Sequence, residues 1–190
     1  NEAQEMLKGM VKPSRFRHIL GVVESAEELA ARFGVEPRRA RWAALLHDCA
    51  KGMSYEDSVL AAGRIEPPVD RVTLSQPALI HAPVGALLAR EVFGVEDEAV
   101  LEAIRVHTTG KRGMTALDLL LYVADTIEPG REFPGVEEIR AAAKEDLVRA
   151  AVLCMNSTIR FVIASDGILH PGTVDARNDL VIQLKQRKNL

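Results

Sequence analysis

The stretch RARWAALLHDCAKG, residues 39–52, sets His47 beside Asp48 in an apolar, alanine-rich helical run. Taking an imidazole and a carboxylate out of water together is costly unless something cationic meets them. Matching partners lie along the chain: His18 in RFRHILGVV, His81 in HAPVGALLA, His107 in VHTTGKRG and Asp125 at the end of LLLYVAD. Each adjoins aliphatic or alanine-rich helical sequence, where the ligands of an enclosed metal site have to sit. Any one of these histidines alone reads as a half-buried packing residue, and His47-Asp48 alone as a hydrogen-bonded pair. The joint pattern weighs differently. Four of the five histidines fall at the ends or faces of successive helical segments, at gaps of 29, 34 and 26 residues (18 to 47, 47 to 81, 81 to 107). Antiparallel helices in a bundle return to one level at about such intervals. Neighbouring helix positions diverge by about 100°, so His47 and Asp48 address two sides of one metal, or two metals with the carboxylate shared.

The segments around this pair are helical almost throughout, and the sequence predicts one all-α domain over residues 1–190. In RFRHILGVVESAEELAARFG, Ile19, Val22, Val23, Ala26, Ala30 and Phe33 recur at steps of three and four. Gly34 is placed to close that helix. Pro37 opens the next, which the pattern carries to Gly52. A short helix is expected over 54–62, started by Ser54 with Asp57. Residues 64–77 hold Pro67, Pro68 and Pro77 and read as a loop with at most one helical turn. Pro83 is expected in the first turn of a helix ending near Gly94. Further helices follow at 96–107, 115–127, 136–164 with a break near Ala143, and 173–188. Thr115 with Asp118, and Thr173 with Asp175, offer side-chain caps. No period-2 run, internal repeat or low-complexity segment is present.

Composition excludes several classes. A chain of 190 residues that is 47% hydrophobic builds a core without disulfides or a structural metal. Cys49 and Cys154 form no framework and read as buried thiols in a reducing cytoplasm. No apolar run reaches the roughly 20 residues of a membrane span, and NEAQEMLKGMVKP has no apolar core of a secretory signal. A cytoplasmic protein without membrane contact is therefore expected. Net charge is −3 with signs interspersed, which argues against nucleic acid as a partner but leaves room for a small anionic substrate.

Imidazole and carboxylate without a thiolate set suit iron, manganese or cobalt, with zinc also admitted. Cys49 rotates about 100° away from Asp48 and reads as a small core residue. Such a centre lowers the pKa of bound water and neutralises phosphate oxygens. Hydrolysis of a phosphate ester or anhydride needs those two things and little else.

The order H…HD…H…H…D resembles the HD-domain metal-dependent phosphohydrolases. The stretches AALLHDCAKG, HAPVGALLA, IRVHTTG, LYVADTIEPGR and LHPGTVDARN further resemble the bacterial YqeK-type branch, the symmetrical bis(5′-nucleosyl)-tetraphosphatases, over about residues 6–186. The resemblance implies a single HD-domain helical bundle that hydrolyses diadenosine tetraphosphate into two ADP, by in-line attack of a metal-bound hydroxide. It implies His18, His47, Asp48 and Asp125 as ligands of an iron or similar ion. His81 and His107 would bind a second ion bridged through Asp48, or contact phosphate. Asp48, Lys51 and Arg131 carry the catalytic roles. Arg15, Lys51, Thr108, Gly110 and Arg131 contact phosphate, while Thr173 and Asn178 close over the nucleotide. His170 shares that tail but lacks helical apolar context and stays outside the ligand set. A dinucleoside polyphosphate or nucleoside diphosphate is the implied partner, and the assembly state is left open, a homodimer among the options. With eight aromatic residues, base stacking falls to Tyr55, Phe133 or Phe16. Two rivals stand beside this reading: an HD hydrolase of another nucleotide (a dNTP, a cyclic nucleotide or an alarmone), and a non-catalytic nucleotide-sensing module.

Overall fold

The structure, a computed structural model, describes residues 2–187, which form eleven α-helices and one 3-10 turn with no strand among them. Helix α1 spans Glu2–Met10, α2 Pro13–Phe33 and α3 Pro37–Leu46. A 3-10 turn at Cys49–Gly52 follows, then α4 Tyr55–Ala62, the single turn α5 Arg71–Leu74 and α6 Pro77–Glu91. Helices α7 Glu98–Val106, α8 Ala116–Ile127, α9 Val136–Ala143, α10 Leu147–Ala164 and α11 Pro171–Arg187 complete the chain.

Local chemistry explains most of these ends. Gly34 closes α2 in the left-handed region at φ 68°, where a Cβ would be strained. Thr115 and Asp118 form a reciprocal capping box at the start of α8. Asp146 caps α10 through the Val148 and Arg149 amides, which breaks the apolar run 136–164 just beyond Ala143.

Four features depart from the sequence pattern. The run 37–52 is not one helix: α3 stops at Leu46, and Asp48 leaves the helical region at φ −109°, ψ 15°. The Lys51 amide then donates to the Asp48 carbonyl, three residues back, so the chain tightens where the polar pair must turn inward. Pro83 lies inside α6, which starts at Pro77 instead. The apolar neighbours of α6 stabilise a proline that removes one helical hydrogen bond. Helix α11 starts at Pro171, so Thr173 is a buried first-turn residue rather than a cap. Helix α1 carries little sequence signal: its apolar content is slight, and Leu7 is its one buried residue.

The helices pack α2 on α3 and α8, α3 on α7 and α8, and α10 on α8, α9 and α11. One core cluster runs from Leu7 to Leu180, and Ala50, Ala62, Ile80 and Val84 form a small second one. Ala40, Ala43 and Ala44 of α3 are fully buried, so side chains of minimal size let α2, α7 and α8 close around it. By length and composition alone α10 is apolar enough to cross a bilayer. Here it buries Leu147, Val148, Ala150, Ala151, Cys154 and Met155 against its neighbours.

Gly52 touches another part of the chain. A Cβ there would lie 1.9 Å from the Met10 carbonyl oxygen, a backbone atom that cannot rotate away. Gly52→Ala should therefore destabilise the metal-free chain by ~1–3 kcal/mol in urea unfolding. Gly63→Ala, whose Cβ would meet its nearest neighbour at an ordinary 3.4 Å, should stay within ~0.5 kcal/mol. Equal effects of the two substitutions would contradict this packing account.

Candidate metal centre and phosphate pocket

Helix ends place two of the histidines. His47 follows α3 and His107 follows α7, each at the C-cap. In both, Nδ1 lies 2.7 Å from the carbonyl three residues earlier, Ala44 for His47 and Ile104 for His107. A carbonyl only accepts, so Nδ1 carries the proton and Nε2 is left with a lone pair facing the bundle interior. His18 comes from the second turn of α2, His81 from α6, Asp48 from the bend after α3 and Asp125 from the last turn of α8.

These six side chains converge. Asp48 is 2% exposed, and its two carboxylate oxygens face different sides. Oδ2 lies 3.4 Å from His47 Nε2, 3.7 Å from His18 Nε2 and 2.9 Å from Arg15 Nη1, which donates to it. Oδ1 lies 3.1 Å from His81 Nε2 and 3.8 Å from His107 Nε2. Asp125 Oδ1 sits 3.0 Å from His18 Nε2 and 3.9 Å from His47 Nε2. His81 Nε2 and His107 Nε2 approach to 3.2 Å, where a shared proton or a cation must separate their lone pairs. His18 Nε2 and His47 Nε2 are buried and have no hydrogen-bond partner among the described residues. Two overlapping triads, His18–His47–Asp125 and His47–Asp48–His107, each hold their donor atoms within 4.8 Å of one another. Orphaned nitrogens beside one buried and one half-buried carboxylate, Asp48 and Asp125, fit a divalent cation.

The charges respond to this crowding. Burial alone would raise the Asp48 and Asp125 carboxyls. The neighbouring imidazoles, His47 foremost with His107 and His81, favour the charged form of Asp48 and hold it well below its usual range, while His18, His47, His107 and Arg131 do so for Asp125. Burial would lower His47, but Asp48 raises it. His81 is pushed down to about 4 by desolvation, aided by the charges of His107 and Lys51. Lys51 is depressed by burial, and by the neighbouring Arg15 and Arg131 charges.

In front of the cluster lies a cavity of about 290 Å³, whose wall includes Arg15, Asp48, Lys51, His81, His107, Thr108, Asp125, Arg131 and Thr173. Arg131 donates from Nη2 to Asp125 Oδ1 at 2.8 Å and from Nε to the Asp125 carbonyl at 3.0 Å. His18 and His47 stand behind the wall, and two of the residues expected to contact phosphate or nucleotide are not brought to it either. Gly110 adopts φ 66° in the turn behind it, packed so closely that a Cβ would meet Met155 Cε at 2.8 Å. Asn178 follows Thr173 by five residues, about 140° around α11, and its exposed amide oxygen accepts from Arg177. His170 also lines the cavity, but its Nε2 faces Asp70 Oδ2 at 3.2 Å instead of the centre. None of Tyr55, Phe133 and Phe16 contributes to the wall, where Tyr122, Val162, Ile168 and Leu169 take the apolar positions. Tyr55 instead donates its hydroxyl to the Leu74 carbonyl.

Residues 15–130 match the HD domain. The chain belongs to the HD-domain family. It is 41% identical over 180 residues to a Bacillus subtilis protein named bis(5′-nucleosyl)-tetraphosphatase, symmetrical, covering 95% of this chain and 96% of that one. A Halalkalibacterium halodurans protein of the same name is 36% identical over 184 residues, covering 97% and 98%. A solved Clostridium acetobutylicum structure, described as a predicted HD superfamily hydrolase involved in NAD metabolism, superposes with a TM-score of 0.92. It is 39% identical and covers 96% of both chains.

An HD domain implies dependence on a divalent metal, and the nitrogen and oxygen donors gathered here suit one. Cys49 stays out of the set: its thiol donates to the Gly85 carbonyl and is pushed up to about 12 by burial. Sequence reasoning missed Glu128, a buried carboxylate 3.0 Å from His18 Nδ1, although it lies in the ADTIEPGR stretch of this HD domain. It also missed Gln76, a residue of the cavity wall whose buried Nε2 has no partner among the described residues.

The tail that carries Thr173 is tied down through Asp70. Burial would raise that carboxyl, but donation from the Thr73 hydroxyl and amide, with His170 alongside, lowers it to about 2. The unfolded chain therefore binds a proton first, and this contribution to stability is present above about pH 4 and fades as pH falls toward 2. Asp70→Asn should lower the urea midpoint at pH 7, and its gap from the wild-type HD domain should shrink by pH 3. A gap of the same size at both pH values would contradict the assignment.

Proposed function

We propose that this chain cleaves diadenosine tetraphosphate symmetrically to two ADP, using a divalent metal held by His18, His47, Asp48 and Asp125. The observation that carries the reading is a cavity whose wall joins Asp48, His81, His107 and Asp125 of the cluster with three cations, Arg15, Lys51 and Arg131. Identities of 36–41% over nearly the whole chain to proteins named for this reaction support the substrate. Iron is the metal we favour, with manganese, cobalt or zinc as substitutes, since the donors are imidazole and carboxylate. The carboxylate of Asp48 has Oδ2 toward His18 and His47 and Oδ1 toward His81 and His107, which supports a second ion that His81 and His107 would help to hold. The chain is read as one domain, because α11 supplies Thr173 to the same wall as residues of α2 and α8.

When bound, the metal supplies Lewis acidity toward phosphate oxygens and a water made nucleophilic near neutral pH. The residues do the remainder. Arg131 is steadied by Asp125, and its planar fork keeps further donors for a phosphate. Lys51, partly stripped of water, offers a compact charge to the same oxygens. Together with Arg15 they stabilise the negative charge that gathers on the departing ADP, so no strong general acid is required. Thr108 and Thr173 contribute hydroxyls beside the phosphates, and Val162, Ile168 and Leu169 form an aliphatic wall for the nucleoside. Cutting at the centre requires the pocket to accept one ADP unit as a measure, with the middle anhydride over the metal.

A nucleotide panel with product chromatography tests this reading. Two ADP from diadenosine tetraphosphate is expected. AMP plus ATP, or no cleavage beside rapid loss of NAD, a dNTP, a cyclic nucleotide or an alarmone, would overturn it. Asp48→Ala should lower turnover more than ~100-fold and empty the centre, since losing even an outer partner of a ligand costs about 10–100-fold. A metal-free variant that still responds to nucleotide would favour a sensing module. Chelation should abolish hydrolysis yet leave the far-UV helical signal, because the core is apolar and continuous without the ion.

A further inference from the structure

We propose that Glu128 is the positioning residue that presents His18 to the metal, and that Gly21 is glycine to admit its carboxylate. The inference rests on the metal reading above and adds two residues to it.

His47 and His107 anchor Nδ1 on a carbonyl at the end of their own helix. His18 lacks that means, because it sits inside α2, in its second turn, where backbone carbonyls serve the helix itself. Glu128, from the turn after α8, takes the place of the carbonyl: its Oε1 lies 3.0 Å from His18 Nδ1. A carboxylate there accepts from Nδ1–H, which leaves Nε2 unprotonated toward Asp125 Oδ1 at 3.0 Å and Asp48 Oδ2 at 3.7 Å. Glu128 is 5% exposed, so it needs partners on its other oxygen as well. The Gly130 amide donates to Oε2 at 2.6 Å.

The carboxylate lies across α2 at Gly21, one turn beyond His18. A Cβ at position 21 would fall 2.6 Å from Glu128 Oε2. An interior helix glycine weakens its helix relative to alanine, so its presence calls for a reason of space. The turn carrying Glu128 cannot easily move to make room. Arg140 of α9 donates from Nε to the Ile127 carbonyl at 3.0 Å and from Nη2 to the Glu128 and Arg131 carbonyls, each at 2.9 Å. A methyl group at position 21 therefore displaces the end of the Glu128 side chain and leaves the backbone in place.

The test is Co²⁺ binding to the metal-free full chain, by competition with a chromophoric chelator, alongside the visible Co²⁺ spectrum and the thermal midpoint of the metal-free protein. Glu128→Ala is expected to weaken Co²⁺ by about 10–100-fold and to change the spectrum. Glu128→Gln, whose amide oxygen still accepts from Nδ1–H, is expected to recover part of the loss. Gly21→Ala should weaken Co²⁺ in the same direction while the metal-free midpoint holds or rises, a combination that a merely structural glycine would not give. Wild-type affinity and spectrum in both alanine variants would overturn the proposal. So would a loss of affinity in Gly21→Ala that appears only with a fall in the metal-free midpoint. A wild-type chain that binds no Co²⁺ would bring down the metal reading itself, a result distinct from either.

Discussion

Two carboxylates, Asp48 buried and Asp125 half-buried, sit where helices α2, α3, α6, α7 and α8 meet, and the whole arrangement follows from compensating them. In an interior of low polarity an isolated ionised carboxyl would give up its charge. Here Arg15 and Arg131 donate to them, and imidazoles close in from four elements. That crowding explains the bend after Leu46, since a straight continuation of α3 would carry Asp48 around the helix and away from His81 and His107. It also explains the alanines of α3. Helices can only bring short side chains such as aspartate into mutual reach if their axes come close, and Ala40, Ala43 and Ala44 allow that.

The histidines show how little local structure is needed to aim a ring once the helices are placed. Two are oriented by the ends of the helices that bear them, and one by a carboxylate from across the bundle. The loop from Ile127 to Arg131 thus works on both sides of the centre. Glu128 reaches back to His18, Arg131 reaches forward to Asp125, and Arg140 ties the loop backbone to α9.

Much of this was legible beforehand, and the residues show why. Helix periodicity and cap chemistry carried the reading of α2, α8 and the break before α10, because these depend on neighbours within a few positions. The gathering of His18, His47, Asp48, His81, His107 and Asp125 was legible too, since polar groups on apolar helices have few tolerable destinations. Pro83 misled because the interior of α6 outweighs a local rule, and Asn178 because resemblance along the tail carries no rotational phase. Glu128 and Gly21 were illegible for another reason. Their meaning lies in a contact between segments more than a hundred residues apart, and neither has a pattern of its own.

The two C-capped histidines have a consequence for the field inside the pocket. Each marks the electronegative pole of its helix, α3 or α7, and both rings turn toward Asp48, 3.4 Å and 3.8 Å away. Arg15 and Arg131 answer that negative field at contact distance, 2.9 Å from Asp48 and 2.8 Å from Asp125, and Lys51 stands on the same wall. Charges of both signs thus meet in one small cavity. A polyphosphate chain is drawn by one set and repelled by the other, so the charge carried by the cluster decides how closely the chain can seat.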